Sequence, residues 1–295
     1  MTSPSASHDE QADSWTVGRL LEWTTGWLRG RGADAPRLEA EVLLACVLGC
    51  QRISLYTRFG EVVADEPRAT FRELVKRRGQ GEPVAYLTGC KEFFSIPFRV
   101  TSDVLVPRPE TEALVVRGID LCRGLTAPRI ADVGTGSGAI AVALAKHLPH
   151  ATITAIDISP AAVAVAQANV EANGVAERVQ VVEGDLLAHL PPDEAFDLVV
   201  SNPPYIREDE FAGLPRDVRD YEPRAALIAG PRGVEPLERL AAMTLERLVP
   251  GGWLLAEIGP PTASEAVLDA AEHLERGATL PDDAGIPRVV QARRR

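Results

Sequence analysis

From residue 128 onward, short and nearly continuous apolar runs alternate with stretches of helical periodicity, and few folds accommodate that alternation. RIADV (129–133) precedes a helical pattern over 138–148, and TITAID (152–157) precedes another over 160–173 that stops at Asn173-Gly174. Val179 to Val182 and FDLVVS (196–201) read as further strands. A helix over 236–248, the strand WLLAEI (253–258), a helix over 262–275 and a closing strand from Arg288 to Ala292 complete the pattern. Strands so short and so uniformly apolar belong to a parallel sheet covered by helices on both faces. The expected fold class is α/β, doubly wound and Rossmann-like.

The front of the chain is patterned differently. Val17, Leu20, Leu21, Thr24, Trp27 and Leu28 recur at three- and four-residue steps, which predicts one buried helix stripe over 15–31. Pro36 opens a second helix to Gly49, and a third runs from Pro67 to Arg78, before Gly79-Gln80-Gly81. Residues 82–107 mix Phe93, Phe94, Ile96, Phe98, Val100 and Val104 with Gly89, Pro97 and Pro107, the pattern of a short hairpin. A helix over 110–122 follows. The domains expected are a helical bundle over 1–81, a hairpin linker over 82–107, and the α/β domain over 108–295.

Charge narrows the function. The first 105 residues carry 13 basic and 14 acidic side chains, whereas the rest carries 18 and 28. An acidic α/β domain does not suit nonspecific binding to phosphate backbones, so no direct nucleic-acid partner is expected. The one basic cluster, Arg72, Lys76, Arg77 and Arg78, reads as a solvated helix face. Cys46 and Cys50 read as core cysteines, and nothing elsewhere completes a zinc spacing, so no metal is expected. No apolar run is long enough to span a bilayer, and the polar stretch Met1–Ser14 reads as a frayed terminus and not as a secretion signal. A cytoplasmic monomer without membrane contact is the expectation.

The strand 129–133 runs straight into Gly134-Thr135-Gly136-Ser137-Gly138 and then a helix. In a doubly wound sheet, ligands bind beyond the carboxyl ends of the strands, and glycines let the backbone turn tightly against them. Asp157 ends the second strand, where a carboxylate can accept two hydrogen bonds from a ribose diol. Asp185, after the third strand, is a candidate for an adenine amino group. Gly134, Gly136 and Ala139 equally satisfy a dinucleotide pattern, so these residues alone leave a nicotinamide enzyme open.

Asn202-Pro203-Pro204-Tyr205 follows FDLVVS directly, beside the expected cofactor loop. A carboxamide nitrogen is a poor nucleophile because its lone pair is delocalised into the carbonyl. Two fixed acceptors can grip its two N–H bonds and aim that lone pair: Asn202 Oδ1 and the Pro203 carbonyl. The consecutive prolines stiffen the corner, and Tyr205 offers an aromatic wall for a planar group. Orientation and electrostatic complementarity then suffice without a strong base. Adenine N6 and cytosine N4 are also planar conjugated nitrogens, so a nucleic-acid amino-methyltransferase is the alternative that shares this corner.

EPVAYLTGCKEFFSIPF (82–98), VPRPETEALV (106–115), DVGTGSGAIA (132–141), VSNPPYI (200–206) and YEPRAAL (221–227), with the tail AGIPRVVQARR (284–294), together resemble the release factor glutamine methyltransferases, the PrmC/HemK family. The resemblance runs from about Arg19 to the C-terminus. It implies a class I methyltransferase domain using S-adenosyl-L-methionine and leaving S-adenosyl-L-homocysteine. It also implies a substrate, the glutamine of the Gly-Gly-Gln loop of peptide chain release factors, held in part by the helical front domain, with a ribosomal-protein glutamine as the sibling alternative. Gly134 to Gly138, Asp157 and Asn202 are implied to contact the cofactor. At the position that packs on adenine in this family the chain has Leu186, which is apolar but not aromatic. Arg108 and Glu110 are implied to lie near the site; their other reading is a helix start with an acid favoured by the dipole. Glu222 and Glu257 are weaker candidates still.

Overall fold

The computed structural model describes residues 14–259 and 261–295, with the side chains of 261 and 262 left aside, so nearly all of the polar segment read as a frayed terminus lies outside the described residues. The described chain forms two compact units that meet at Thr88 and Gly89.

The first unit is helical. Thr16 accepts the Arg19 N–H through its hydroxyl and caps α1 (Val17–Arg29), whose Val17, Leu20, Leu21, Thr24 and Leu28 are buried. Pro36 opens α2 (Pro36–Val47), and Ala40, Leu43 and Leu44 supply its buried stripe. Short α3 (Ser54–Thr57) leads to α4 (Asp65–Gly79), which buries Phe71 and Val75, and α5 (Val84–Thr88) closes the unit. The α2 stripe faces away from Cys46, which is exposed, and Cys50 is half-buried; of the four cysteines only Cys122, in the second unit, is a core residue. The basic cluster is not simply a solvated face. Arg78 pairs with Glu39, Nε to Oε2 at 2.7 Å, with both side chains largely covered, and Arg77 pairs with Glu82.

In the second unit the hairpin β1 (Cys90–Phe93) and β2 (Ile96–Arg99) is joined by Phe94 and Ser95, both at positive φ. That turn ordinarily takes Asn-Gly. Here Phe94 is held by its N–H on Glu112 Oε1 at 2.9 Å and by its ring edge on His147. Phe93 and Phe98 are fully buried in the core of this unit, so the hairpin belongs to it and is not the separate linker expected, while the α5 segment belongs with the helices.

After a single 3-10 turn (Pro109–Thr111) comes α6 (Glu112–Cys122), followed by β3 (Arg129–Val133), α7 (Ala139–His147), β4 (Thr152–Asp157), α8 (Pro160–Ala172), β5 (Val179–Glu183) and β6 (Phe196–Ser201). A short parallel pair, β7 (Ile206–Arg207) and β8 (Ile228–Gly230), flanks α9 (Arg216–Tyr221). The chain continues through α10 (Glu235–Arg247), β9 (Leu248–Glu257), α11 (Pro261–Ala270), β10 (Leu274–Arg276), β11 (Leu280–Pro281) and β12 (Pro287–Arg294). The sheet order is β10-β12-β9-β6-β3-β4-β5, with β5, β4, β3, β6 and β9 parallel and β12 antiparallel to β9. Helical periodicity over-extends the last helix: it stops at Ala270, because Leu274–Arg276 gain ladder bonds against the closing strand.

Two apolar cores lie on either face of this sheet. Asn169 of α8, 1% exposed, ties the hairpin to the loop after β3. Its Oδ1 accepts Arg99 N–H at 2.7 Å, and its Nδ2 donates to the Arg99 and Ser137 carbonyls at 2.9 and 2.8 Å. Asn169→Ala leaves three backbone groups without partners and is expected to lower unfolding free energy by about 3 kcal/mol, read from urea denaturation; a change within about 0.5 kcal/mol would refute the staple.

Candidate active site

The chain runs from β3 outward through β4 and β5, then returns to the other flank of β3 as β6. The carboxyl ends of β3 and β6 therefore lie side by side with their loops diverging, the crevice where doubly wound sheets bind ligands. Ser201 Oγ donates to the Val133 carbonyl at 2.7 Å and pins the two strand ends together. A cavity of about 330 Å³ opens there, its wall including Gly134 to Ser137, Asp157, Asp185, Leu186, Arg108, Thr111, Asn202 and Pro204.

The glycine turn is held by the neighbouring strand. Gly134, Gly136 and Gly138 all have positive φ, and Gly134 N–H and Thr135 N–H both donate to the Ile156 carbonyl. Asp157 Oδ2 accepts Gly136 N–H at 2.8 Å, and Oδ1 accepts Ser159 N–H at 3.0 Å. Asp157 is thus a brace for the loop as well as a candidate ribose acceptor, since each carboxylate oxygen keeps a further lone pair. Gly138 caps α7 against Ala166, whose backbone would sit 3.4 Å from an added Cβ. Thr135 and Ser137 are buried, and the Thr135 hydroxyl donates to Asp132 Oδ2 at 2.7 Å; its role is to fix the turn. Asp132 also accepts Ala141 N–H at 3.0 Å, and its Oδ1 is buried with no partner. Burial pushes its carboxyl up to about 7, against the pull of the Thr135 and Ala141 bonds.

At the other end of the cavity Asp185 is engaged by a residue the sequence did not single out. Arg239 of α10 donates to Asp185 Oδ2 at 2.6 Å, so the second oxygen is the one left for a ligand amino group. Leu186 has φ +53, a strained value for a branched side chain, and lies half-buried on the cavity wall.

Of the Asn-Pro-Pro-Tyr corner, Asn202 and Pro204 line the cavity, whereas Pro203 is buried and Pro203 and Tyr205 are not part of the lining. Asn202 Nδ2 donates to Thr111 Oγ1 at 3.2 Å. The Tyr205 ring packs against Gly259, and burial pushes its phenol up to about 12, which keeps the hydroxyl protonated. Arg108 is ion-paired to buried Glu222, whose carboxyl is raised by burial first and lowered in turn by the arginine.

Residues 19–89 match the PrmC N-terminal domain and residues 114–213 the methyltransferase small domain. A release factor glutamine methyltransferase of Rhodopirellula baltica is 52% identical over 84% of this chain and 86% of its own length. One from Geobacter sulfurreducens is 43% identical over 96% of this chain and 99% of its own. The chain belongs to the release factor glutamine methyltransferase family. Two solved structures share its fold: the hMettl16 catalytic domain in complex with an RNA hairpin (TM-score 0.55, 19% identity, 78% of this chain and 81% of that one) and a T. thermophilus 16S rRNA methyltransferase in complex with AdoMet and guanosine (TM-score 0.51, 18% identity, 70% and 50%). Among the described residues no cluster of side chains could hold a metal ion, and no helix is long and apolar enough to cross a membrane.

The residues of this family member missed by motif reading are Asp132, Arg239 and Thr111, none of which carries a local sequence signal of its role. Asp132 gives a pH signature. Its folded pKa lies above the unfolded value, so its stabilising contribution is complete below about pH 4 and is lost as pH rises through about 7. Thermal or urea melts should show the wild type losing roughly 2–4 kcal/mol relative to Asp132→Asn across that window; parallel stability curves for the two proteins would refute a protonated Asp132.

Proposed function

We propose that this protein methylates the side-chain amide nitrogen, N5, of the glutamine in the Gly-Gly-Gln motif of peptide chain release factors, with S-adenosyl-L-methionine as donor. The observation that carries it is Asn202 at the cavity wall, with its amide NH₂ turned to Thr111 and its Oδ1 taking no hydrogen bond within the described residues. An unspent acceptor on the cavity wall matches a ligand that brings N–H donors.

The cavity fits the donor. The positive-φ glycines let backbone approach a ligand with no Cβ in the way, and no protein atom lies within 4 Å of an added Cβ at Gly134 or Gly136. Asp157 would hold the ribose hydroxyls, while Asp185 and Leu186 would take the adenine. When bound, S-adenosylmethionine supplies an electrophilic methyl carbon on a sulfonium sulfur. The protein's own task is to bind and aim the acceptor. Asn202 Oδ1 takes one N–H of the carboxamide, and the Pro203 carbonyl is proposed for the other, which sets the nitrogen lone pair along one axis. Pro204, on the cavity wall, would bound the plane of the amide. Once the nitrogen carries four substituents its N–H becomes acidic, so its proton can pass to water without a dedicated base.

The helical unit exposes Trp23, Ile53, Tyr56 and Val62, and we propose it as the release-factor docking surface. Asn202→Ala is expected to lower methyl transfer to purified release factor at least about 100-fold while calorimetric cofactor affinity stays within about threefold. Mass spectrometry should place the wild-type methyl on the glutamine of Gly-Gly-Gln. Wild-type labelling of nucleic acid instead, or full turnover by the variant, would overturn the reading.

A further inference from the structure

Asn202 lies on the cavity wall, and the hydrogen bonds that hold its amide lead back to a buried acid outside the lining. Thr111, 5% exposed and at the end of the 3-10 turn, receives Asn202 Nδ2 on its Oγ1 at 3.2 Å. The same hydroxyl donates to Glu257 Oε2 at 2.5 Å. Glu257 ends β9, is 2% exposed and does not line the cavity. Its other oxygen faces the Tyr205 hydroxyl at 3.5 Å. Four residues from three separate segments thus form one chain: Tyr205, Glu257, Thr111 and Asn202.

The direction of that chain follows from the donor and acceptor inventory. The Thr111 hydroxyl has one proton, and it is donated to Glu257 Oε2. Its lone pair is then what remains for Asn202, and only the NH₂ end of the amide can use it. The Asn202 Oδ1 is forced to the opposite side. Were the amide turned over, a carbonyl would face a lone pair in a buried place, and an NH₂ group would be presented to the N–H bonds of the substrate. The two orientations have the same shape and opposite chemistry; sterics alone cannot choose between them.

We infer that Thr111 and Glu257 are positioning residues that set the polarity of Asn202, holding its oxygen as an acceptor for the substrate carboxamide. The inference rests on the methyltransferase reading for what the oxygen is used for. Glu257 does not line the cavity, and the Thr111 hydroxyl on its wall is spent on Glu257 and Asn202. Thr111 acts through Asn202, and Glu257 acts through Thr111 while steadying Tyr205.

The test is a mutant cycle on the full-length protein, with release factor and labelled donor. Thr111→Val keeps the shape and removes the hydroxyl; kcat should fall about 10- to 100-fold, with cofactor affinity by calorimetry unchanged. Thr111→Ser returns the hydroxyl and should recover kcat to within about threefold of wild type. Glu257→Gln supplies an amide that can donate to Thr111 and so release the polarity; a loss similar to that of Thr111→Val is expected, which gives a second reading should the valine variant fold poorly. The decisive comparison is the double variant with Asn202→Ala. A device that acts only through Asn202 makes the double variant no slower than Asn202→Ala alone, whereas a merely structural contribution adds. Wild-type kcat in Thr111→Val and Glu257→Gln, or additive losses, would overturn the inference. If the wild type labels some other acceptor, the proposed function falls by itself, and the same ratios measured on that acceptor still decide the relay.

Discussion

The site depends on the point where the sheet changes direction. Because β4 and β5 build outward on one flank of β3 and β6 returns on the other, the ends of β3 and β6 are neighbours whose loops have no strand between them to fill the space. The Ser201 bond to the Val133 carbonyl keeps those ends in register, so the glycine turn and the Asn-Pro-Pro-Tyr corner begin one strand spacing apart. A shift of either strand by one residue would reverse which side chains face the cores and would also move the glycine turn away from the Asn-Pro-Pro-Tyr corner. The glycine turn and the Asn-Pro-Pro-Tyr corner are therefore set by one constraint.

The polar groups behind the cavity convert that placement into rigidity. Asp157 spends its carboxylate on Gly136 and Ser159, Asp132 on Thr135 and Ala141, and Asn169 on Arg99 and Ser137. Each anchors the glycine turn from a different neighbouring segment. Glycines need that help: the same freedom that admits positive φ makes an unbraced Gly-rich loop entropically costly to order. The turn can be short on side chains and still stiff because its partners carry the hydrogen bonds for it. Fixed backbone dipoles cost no reorganisation when a ligand arrives.

Apolar periodicity and ladder-forming runs made the architecture legible before any coordinates: FDLVVS, TITAID and RIADV are strands over the very residues that the alternation marks. Local punctuation was equally informative where it is chemical, as at Pro36 and the three glycines of the turn. What stayed hidden was created by tertiary pairing. Leu274 and Glu275 read as the end of a helix because their ladder partners, Arg294 and Arg293, lie at the far end of the sequence. Cys46 and Cys50 read as core because LLACVLGC is apolar on every side, and only the packing of α2 chooses the buried face. Arg239 is one arginine among many until α10 brings it to Asp185. Thr111 looked like part of a helix start because its partners are 91 and 146 residues away.

Glu257 shows why a buried acid near a methyl-transfer site need not be its base. Burial raises its carboxyl, which alone would suggest a group poised to take a proton. The geometry assigns it otherwise. Both of its oxygens face hydroxyls, those of Thr111 and Tyr205, and it is shut out of the cavity. To reach a substrate nitrogen, its proton traffic would have to pass through Thr111 and then Asn202, and an amide is too weak an acid or base to carry it. What can pass along that route is orientation. A carboxamide acceptor needs its lone pair aimed, not its proton removed in advance, since the proton is lost easily once the nitrogen has become cationic. The buried acid is therefore best placed behind the asparagine, where it decides which atom of a symmetric-looking side chain meets the substrate.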